Sequence, residues 1–280
     1  VSDPRDELAA LSTELRAHVE RERDRGRTRL ISAGLREALD RPRVEGAARP
    51  AAVRVAAPAK AAASAGAPAP AVSEESRGKK LPVIDVEPTP ADYDERMAKL
   101  GVLAAKASRC EKCGLCATRN TVVFARGRAR NRVMFIGEAP GADEDRLGEP
   151  FVGRAGKLLD QILDAAGFRR DEIYIANILK CRPPNNRDPH PDEIAACTPY
   201  LVEQIDLVNP KIICALGRFA AGFLTGQLGA PMGSLRGKVL TYQDRIPVLS
   251  TYHPAALLRN PDWKRVVWED FQLLRREYLR

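Results

Sequence analysis

Apolar residues keep two rhythms along this chain. In the C-terminal part, short unbroken runs read as strands buried on both faces, at Val133 to Ile136, Ile173 to Leu179, Lys211 to Leu216 and Ile246 to Tyr252. Between and after these runs, apolar residues recur three or four apart and predict helices over Ala155 to Ala166, Asp192 to Val208, Phe219 to Leu224 and Asp262 to Leu279. Gly167 stops the first of these helices and Pro191 precedes the second. Val239 to Tyr242 reads as a further strand, pairing with Ile246 to Tyr252 around Gln243-Asp244-Arg245. A helix from Pro90 to Ser108, with Tyr93, Met97, Leu100 and Leu103 on one side, precedes them all. Strand-helix alternation of this kind predicts a three-layer α/β/α domain over 90–280, with a central, mainly parallel sheet.

The first part of the chain follows a different pattern. Leu8, Leu11, Leu15 and Val19, then Leu30, Leu35 and Leu39, fall at helical spacing among alternating Arg and Glu, so residues 1–40 read as a charged amphipathic helix interrupted near Gly26. The seam is too short for a coiled coil but could dock on a protein partner. Residues 41–89 are rich in Ala, Pro, Ser and Gly without a periodic apolar face. They bury too little to offset conformational entropy and read as a disordered linker.

Charge sharpens this division. The net charge is +8, yet residues 1–95 hold 16 Lys and Arg against 17 Asp and Glu, leaving 29 against 20 for the remainder. The basic excess therefore belongs to the α/β domain and is consistent with a polyanionic partner such as nucleic acid. No apolar run approaches the roughly 20 residues of a membrane span, and the N-terminus lacks a signal-peptide pattern, so a cytoplasmic protein with no membrane association is expected.

Six cysteines are too few for a disulfide scaffold of this length, and three crowd into Cys110-Glu-Lys-Cys113-Gly-Leu-Cys116. Cys181 and Cys197 follow, while Cys214 lies in the apolar run Ile212 to Ala215 and reads as a core residue. Four thiolates suit zinc or an iron-sulfur cluster equally well. Cys116 would extend a ferredoxin-like run, but Asn120 stands where its fourth cysteine belongs.

The sharpest candidate site begins at Gly137, where the first strand gives way to a loop holding two more glycines, two prolines and five acids, followed by Phe151-Val152-Gly153. Open α/β sheets bind ligands beyond the carboxyl ends of their strands. Asn177 lies on the second strand and His253, one of three histidines, begins His-Pro-Ala-Ala-Leu-Leu-Arg at the end of another. Together Gly-Glu-Ala-Pro-Gly, Pro-Phe-Val-Gly-Arg-Ala-Gly, Asn-Ile-Leu-Lys-Cys-Arg-Pro-Pro and His-Pro-x-x-Leu-Leu-Arg closely resemble the family 4 uracil-DNA glycosylases, the iron-sulfur branch of their superfamily. The likeness runs from about Cys110 to the C-terminus.

That resemblance implies a 4Fe-4S cluster on Cys110, Cys113, Cys181 and Cys197, with Cys116 free. It also implies a monomeric, monofunctional base-excision repair enzyme that flips uracil out of DNA and hydrolyses its N-glycosidic bond, leaving an abasic site. The family's pocket residues fall on Glu138, Ala139, Phe151, Asn177 and His253, with Glu144 lining or ordering the pocket. Phe151 would replace the stacking that the flipped base loses. The Asn177 carboxamide matches uracil O4 and N3–H and mismatches cytosine. A neutral His253 would donate to O2 as negative charge grows on the departing base. Leu257, Leu258 and Arg259 would fill the vacated stack and hold phosphate.

Two departures matter. The superfamily's best-known branch orients water with an aspartate where this chain has Ala139, so a backbone carbonyl, Glu138 or Glu144, or the field of a dissociative transition state must serve, the last two being preferred, and Glu138 is also the candidate for excluding thymine. A sister group traps uracil-DNA covalently through a histidine in a basic insertion, but Pro183 to Pro191 lacks its Arg-Arg-Ile-His pattern, and His190 is out of register. Covalent trapping, a non-catalytic nucleic-acid-binding module and a zinc-stabilised interaction platform are the alternatives. Asn177 lies four residues before Cys181, so loss of the metal group should loosen the base-reading strand.

Overall fold

A computed structural model of the chain describes residues 80–85 and 90–280. The helix expected over 1–40 and most of the linker lie outside the described residues. Lys80 to Asp85, assigned above to the linker's end, lie against the domain: the Leu81 and Ile84 amides donate to Ala165 O and Gly167 O at 2.9 and 2.8 Å, and Ile84 is buried.

Four strands, β1 (Val133–Gly137), β2 (Tyr174–Asn177), β3 (Ile212–Leu216) and β5 (Ile246–Thr251), run parallel, and β4 (Val239–Tyr242) is antiparallel to β5 at one edge. The order is β2-β1-β3-β5-β4. From β1 the chain moves first to one side and then, at β3, to the other. The switch point therefore falls between β1 and β3, and the loops after β1, β2, β3 and β5 open on one rim.

Alternation along these strands builds two cores. Met134, Ile136, Tyr174, Ala176, Ile213 and Ala215 face α1 (Tyr93–Ser108) and α4 (Pro191–Val208). Val133, Phe135, Ile175, Ile212 and Cys214 face the opposite layer, where α3 (Arg154–Ala165) and the closing helix α8 (Trp263–Tyr278) pack. Cys214 is buried in that second core, as its apolar setting implied. The predicted β4–β5 hairpin is present, its turn made by Gln243 and Asp244, both at positive φ.

Three short helices among the described residues are not predicted from the pattern, the first of them after β1. Part of the stretch assigned to a loop after β1 is a six-residue helix, α2 (Ala142–Leu147), closed by Gly148 in the left-handed region. Its acidic first turn favours the helix N-terminus electrostatically. What looked like a solvated acidic run has a structural use. The remaining helices are α5 (Arg218–Thr225), the short α6 (Met232–Leu235), and α7 (Pro254–Arg259), which starts at His253.

Candidate base-binding recess and cysteine-lined site

The rim above the switch point gathers Glu138, Phe151, Asn177 and His253. Gly137 and Asn177 are register partners across β1 and β2. A Cβ added to Gly137 would lie 2.4 Å from Asn177 Oδ1 and 2.7 Å from Phe151 Cζ, so the carboxamide and the ring converge over a bare backbone position. Asn177 is only 2% exposed, and its Oδ1 has no hydrogen-bond partner. An unpaired buried acceptor costs about 1–3 kcal/mol. A ligand N–H would remove that cost.

Phe151 is held in a conformation that a bulky residue rarely adopts, with φ at +56°. Three contacts impose it. Arg170 Nη2 donates to Phe151 O at 2.8 Å, Glu144 Oε1 accepts from the amides of Val152 and Gly153 at 3.0 and 2.9 Å, and Gly156 of α3 lets the Phe151 carbonyl approach. Glu144 thus orders the recess through the Phe151 loop. Its Oε1 is committed to backbone rather than to the recess interior.

The Phe151 ring faces the His253 imidazole, with centroids 5.4 Å apart and planes tilted by 33°. His253 Nδ1 accepts from the Ala255 amide at 3.1 Å, capping α7. The ring proton of the neutral form therefore sits on Nε2. Burial, aided by the Arg259 charge, pushes the His253 pKa down to about 4, so the ring is a neutral donor at pH 7. Glu138 behaves oppositely: burial first, then the Asp188 carboxylate, push its pKa up to about 7, and Arg218 partly offsets them. Ala139 is half-buried against the first core.

The three candidate wedge residues separate. Leu257 is 1% exposed and belongs to the second core, whereas Leu258 is 41% exposed and Arg259 is exposed. In the free protein Leu257 thus packs in the second core, while Leu258 and Arg259 face solvent. Tyr252 and Trp263 stack at 4.4 Å and clasp the two ends of the segment that carries His253, Leu258 and Arg259. His190 instead begins α4, where its amide donates to Glu193 at 2.8 Å.

Sequence reasoning missed Arg218 and Asp188, which set the charge around Glu138, and Arg170 and Gly156, which hold Phe151. Arg218 had a signal, since it follows the glycine that ends β3 beside the switch point. The others have none that is local.

Below the recess, Cys110, Cys113, Cys181 and Cys197 line one enclosed space together with Arg119, Lys180 and Tyr200. Among the described residues no three Cys, His, Asp or Glu side chains form a group that would hold a metal ion. Cys116 does not line that space. Cys197 Sγ accepts from the Lys180 amide at 3.2 Å, and Cys181 Sγ lies 3.5 Å from Arg119 Nη1. Burial pushes Cys181 up to about 11 and raises Cys113 and Cys197 as well. Lys180 bridges the two sites: its amide meets Cys197, and its buried ammonium donates to Asn177 O at 2.7 Å.

The sequence model of the Uracil DNA glycosylase superfamily matches residues 124–272. The chain is 45% identical over 186 residues to the type-4 uracil-DNA glycosylase of Sulfurisphaera tokodaii, covering 64% of this chain and 84% of that protein. It is 42% identical over 182 residues to the type-4 enzyme of Archaeoglobus fulgidus, covering 63% and 92%. A type-5 uracil-DNA glycosylase of Pyrobaculum aerophilum is 30% identical over 146 residues, covering 47% and 64%. No helix among the described residues is long and apolar enough to cross a membrane.

Proposed function

This chain belongs to the uracil-DNA glycosylase superfamily, in its type-4 branch, and on that premise we propose that it flips uracil out of DNA and hydrolyses the bond between base and sugar. The observation that carries the reading is the pair of groups that flank the Phe151 ring: a buried carboxamide oxygen without a partner and a neutral imidazole whose remaining ring proton is on Nε2. Uracil N3–H supplies the donor that Asn177 Oδ1 lacks. Cytosine presents an acceptor there, which leaves the oxygen unpaired and repelled.

Binding comes first. A flipped pyrimidine gives up stacking at a cost of a few kcal/mol, and the Phe151 face returns about 1–3 kcal/mol. Leu258 fills the vacated position and Arg259 meets phosphate. As the glycosidic bond lengthens, the base gains negative charge and the sugar positive charge. His253 donates through Nε2 to O2, and the capped Nδ1 fixes the ring's orientation. Water arrives on the sugar side, oriented by Glu138 when its carboxyl is ionised; Glu144, spent on the Val152 and Gly153 amides, acts by holding Phe151. No lysine occupies the recess positions, which favours a monofunctional enzyme without a lyase step.

The cysteine-lined site fits an iron-sulfur cluster better than a lone zinc ion. Four soft donors, Cys110, Cys113, Cys181 and Cys197, surround one space, and amide and guanidinium N–H groups already point at two of the sulfurs. A 4Fe-4S cluster held there would supply structural cross-linking between the α1 end and the β2 loop. All six cysteines are free thiols, in keeping with a reducing cytoplasm. We assign the chain a monomeric state and leave the protein partner to its N-terminal extension.

The test is incubation of the purified chain with an end-labelled duplex carrying one uracil, then alkali, beside an all-thymine duplex and a His253→Ala variant. Cleavage confined to uracil and lowered about 100- to 1,000-fold in the variant is expected. A folded, iron-containing protein that releases no uracil would overturn the proposal, and a gel-stable adduct would place the chain with the covalent sister group.

A further inference from the structure

The short helix α2 carries adjacent carboxylates that grip different parts of the molecule. Successive helical residues point about 100° apart, so neighbours on one helix can serve two partners. Glu144 holds the amides of Val152 and Gly153, which follow the strained Phe151. Asp145 points the other way. It is 1% exposed, and its Oδ1 accepts from the Asn120 amide at 3.0 Å and the Thr121 amide at 3.4 Å, while its Oδ2 accepts from Asn120 Nδ2 at 2.6 Å.

The segment Asp145 grips leads directly out of the cysteine-lined site. Arg119, next to Asn120, lines that space and donates to Cys110 O at 2.7 Å, with Cys181 Sγ 3.5 Å away. Two residues beyond Thr121, the Val123 amide donates to Lys180 O at 2.8 Å. Among the described residues Asp145 has no cationic ion-pair partner, so its carboxylate is satisfied by the N–H groups of 120–121. Removing either side would leave a buried charge or buried donors unpaired, which makes the grip costly to break. Glu144 and Asp145 are adjacent on this six-residue helix, so a displacement of segment 119–121 has a direct path through α2 to the Phe151 loop.

We propose that Asp145 is a positioning residue that couples the cysteine-lined site to the aromatic wall of the uracil recess, with α2 acting as a rigid two-pronged clasp. The inference rests on the uracil-excision reading and adds to it a route by which the two sites influence one another. Such coupling is reciprocal. Capture of uracil against Phe151 tightens segment 119–121, and disturbance of that segment loosens Phe151.

Hydrogen exchange on the full chain tests this, in a His253→Ala background that keeps uracil in place. A uracil duplex should slow exchange at 151–153 and also at 119–121, by about 5-fold or more for a coupling of typical strength, while a thymine duplex should slow neither. With Asp145→Asn added, protection at 151–153 should remain and the uracil-dependent protection at 119–121 should vanish. Asn120→Ser, which removes one grip without touching α2, should weaken it and serves should Asp145→Asn fail to fold. In the otherwise native chain both variants should raise KM for uracil duplex more than they lower kcat. Protection at 151–153 without protection at 119–121 in the parent, or coupling undiminished in either variant, would overturn the clasp alone. No uracil-dependent change at 151–153 would instead count against the excision reading.

Discussion

Replacing Gly156 by alanine should weaken this protein, although propensity alone says the reverse. Gly156 lies in the first turn of α3, and in an ordinary helix Gly→Ala stabilises by about 0.5–1 kcal/mol. Here the added Cβ would sit 1.8 Å from Phe151 O and 2.1 Å from its carbonyl carbon, against a floor near 3.0 Å for real contacts. The obstacle is backbone, so no rotamer relieves it. Phe151 must retreat by more than an ångström, and it starts from a φ of +56° anchored by Arg170 and Glu144. Overpacking of this kind costs about 1–3 kcal/mol and outweighs the propensity gain.

Gly101 supplies the control. It lies within α1, and a Cβ there meets nothing within 4 Å, so Gly101→Ala should raise Tm. At about 2–4 °C per kcal/mol for a domain of this size, the two variants should move in opposite directions by a few degrees each. Their activities should diverge further. A 1 Å displacement of a positioning group costs on the order of 100-fold, so kcat/KM on a uracil duplex should fall about that far in Gly156→Ala and stay unchanged in Gly101→Ala. Calorimetry with single-turnover release of labelled uracil reads both. A Gly156→Ala protein as stable and active as Gly101→Ala would refute the packing of α3 on the Phe151 loop.

Further outcomes follow from the site. Asn177→Leu should abolish uracil selectivity yet raise Tm, because it removes a buried acceptor worth about 1–3 kcal/mol of unpaired cost; a lowered Tm would show that the oxygen is satisfied in the free protein. In a pH–rate profile, His253 stays neutral down to about pH 4, while Glu138 ionises as pH rises through about 7, so the rate should climb through that point and Glu138→Gln should flatten the rise. The stability signs are opposed: His253 contributes stability that is lost as pH falls from 6.5 toward 4, and Glu138 contributes stability that is lost as pH rises from 4.5 through about 7. Cys181→Ala should lose iron, measured by metal analysis, and slow uracil release with it, whereas full activity in a folded variant would separate the cysteine site from β2; Leu258→Ala should impair duplex more than single-stranded substrate, while Leu257→Ala should lower unfolding stability by about 2–5 kcal/mol through core loss and spare that ratio.

Much of this architecture was legible because its signals are local. Four strands buried on both faces announce themselves as apolar runs, and the residues that end them, Gly137, Asn177, Leu216 and Thr251, bring Glu138 and His253 to one rim by topology alone. The helix α2 escaped notice because six residues carry too little periodicity, and its acids resembled a solvated run. Leu257 and Leu258 are indistinguishable in sequence, since only the turn of α7 decides which faces the core. Lys80 to Asp85 escaped because composition averages over Ile84, whose burial depends on a groove made by residues eighty positions later.

The residues that hold the chemistry in place are the ones least visible beforehand, and the reason is physical. A reacting group must be exposed to a ligand at a strand end, where position in the fold follows from pattern. A group that fixes it acts across long sequence separation: Arg170 on Phe151, Asp145 on Asn120, Lys180 on Gln204. Each of these contacts satisfies a buried donor or acceptor, and the need for satisfaction arises only once the chain has folded. His253 shows both sides. Its place after β5 is topological, but its neutrality comes from burial and Arg259, and its donor proton is placed by a cap on the Ala255 amide. The recess thus holds an uncharged donor, an unpaired acceptor and a strained aromatic wall before any base arrives. Their organisation is already met by folding, leaving flipping itself as the principal cost of capture.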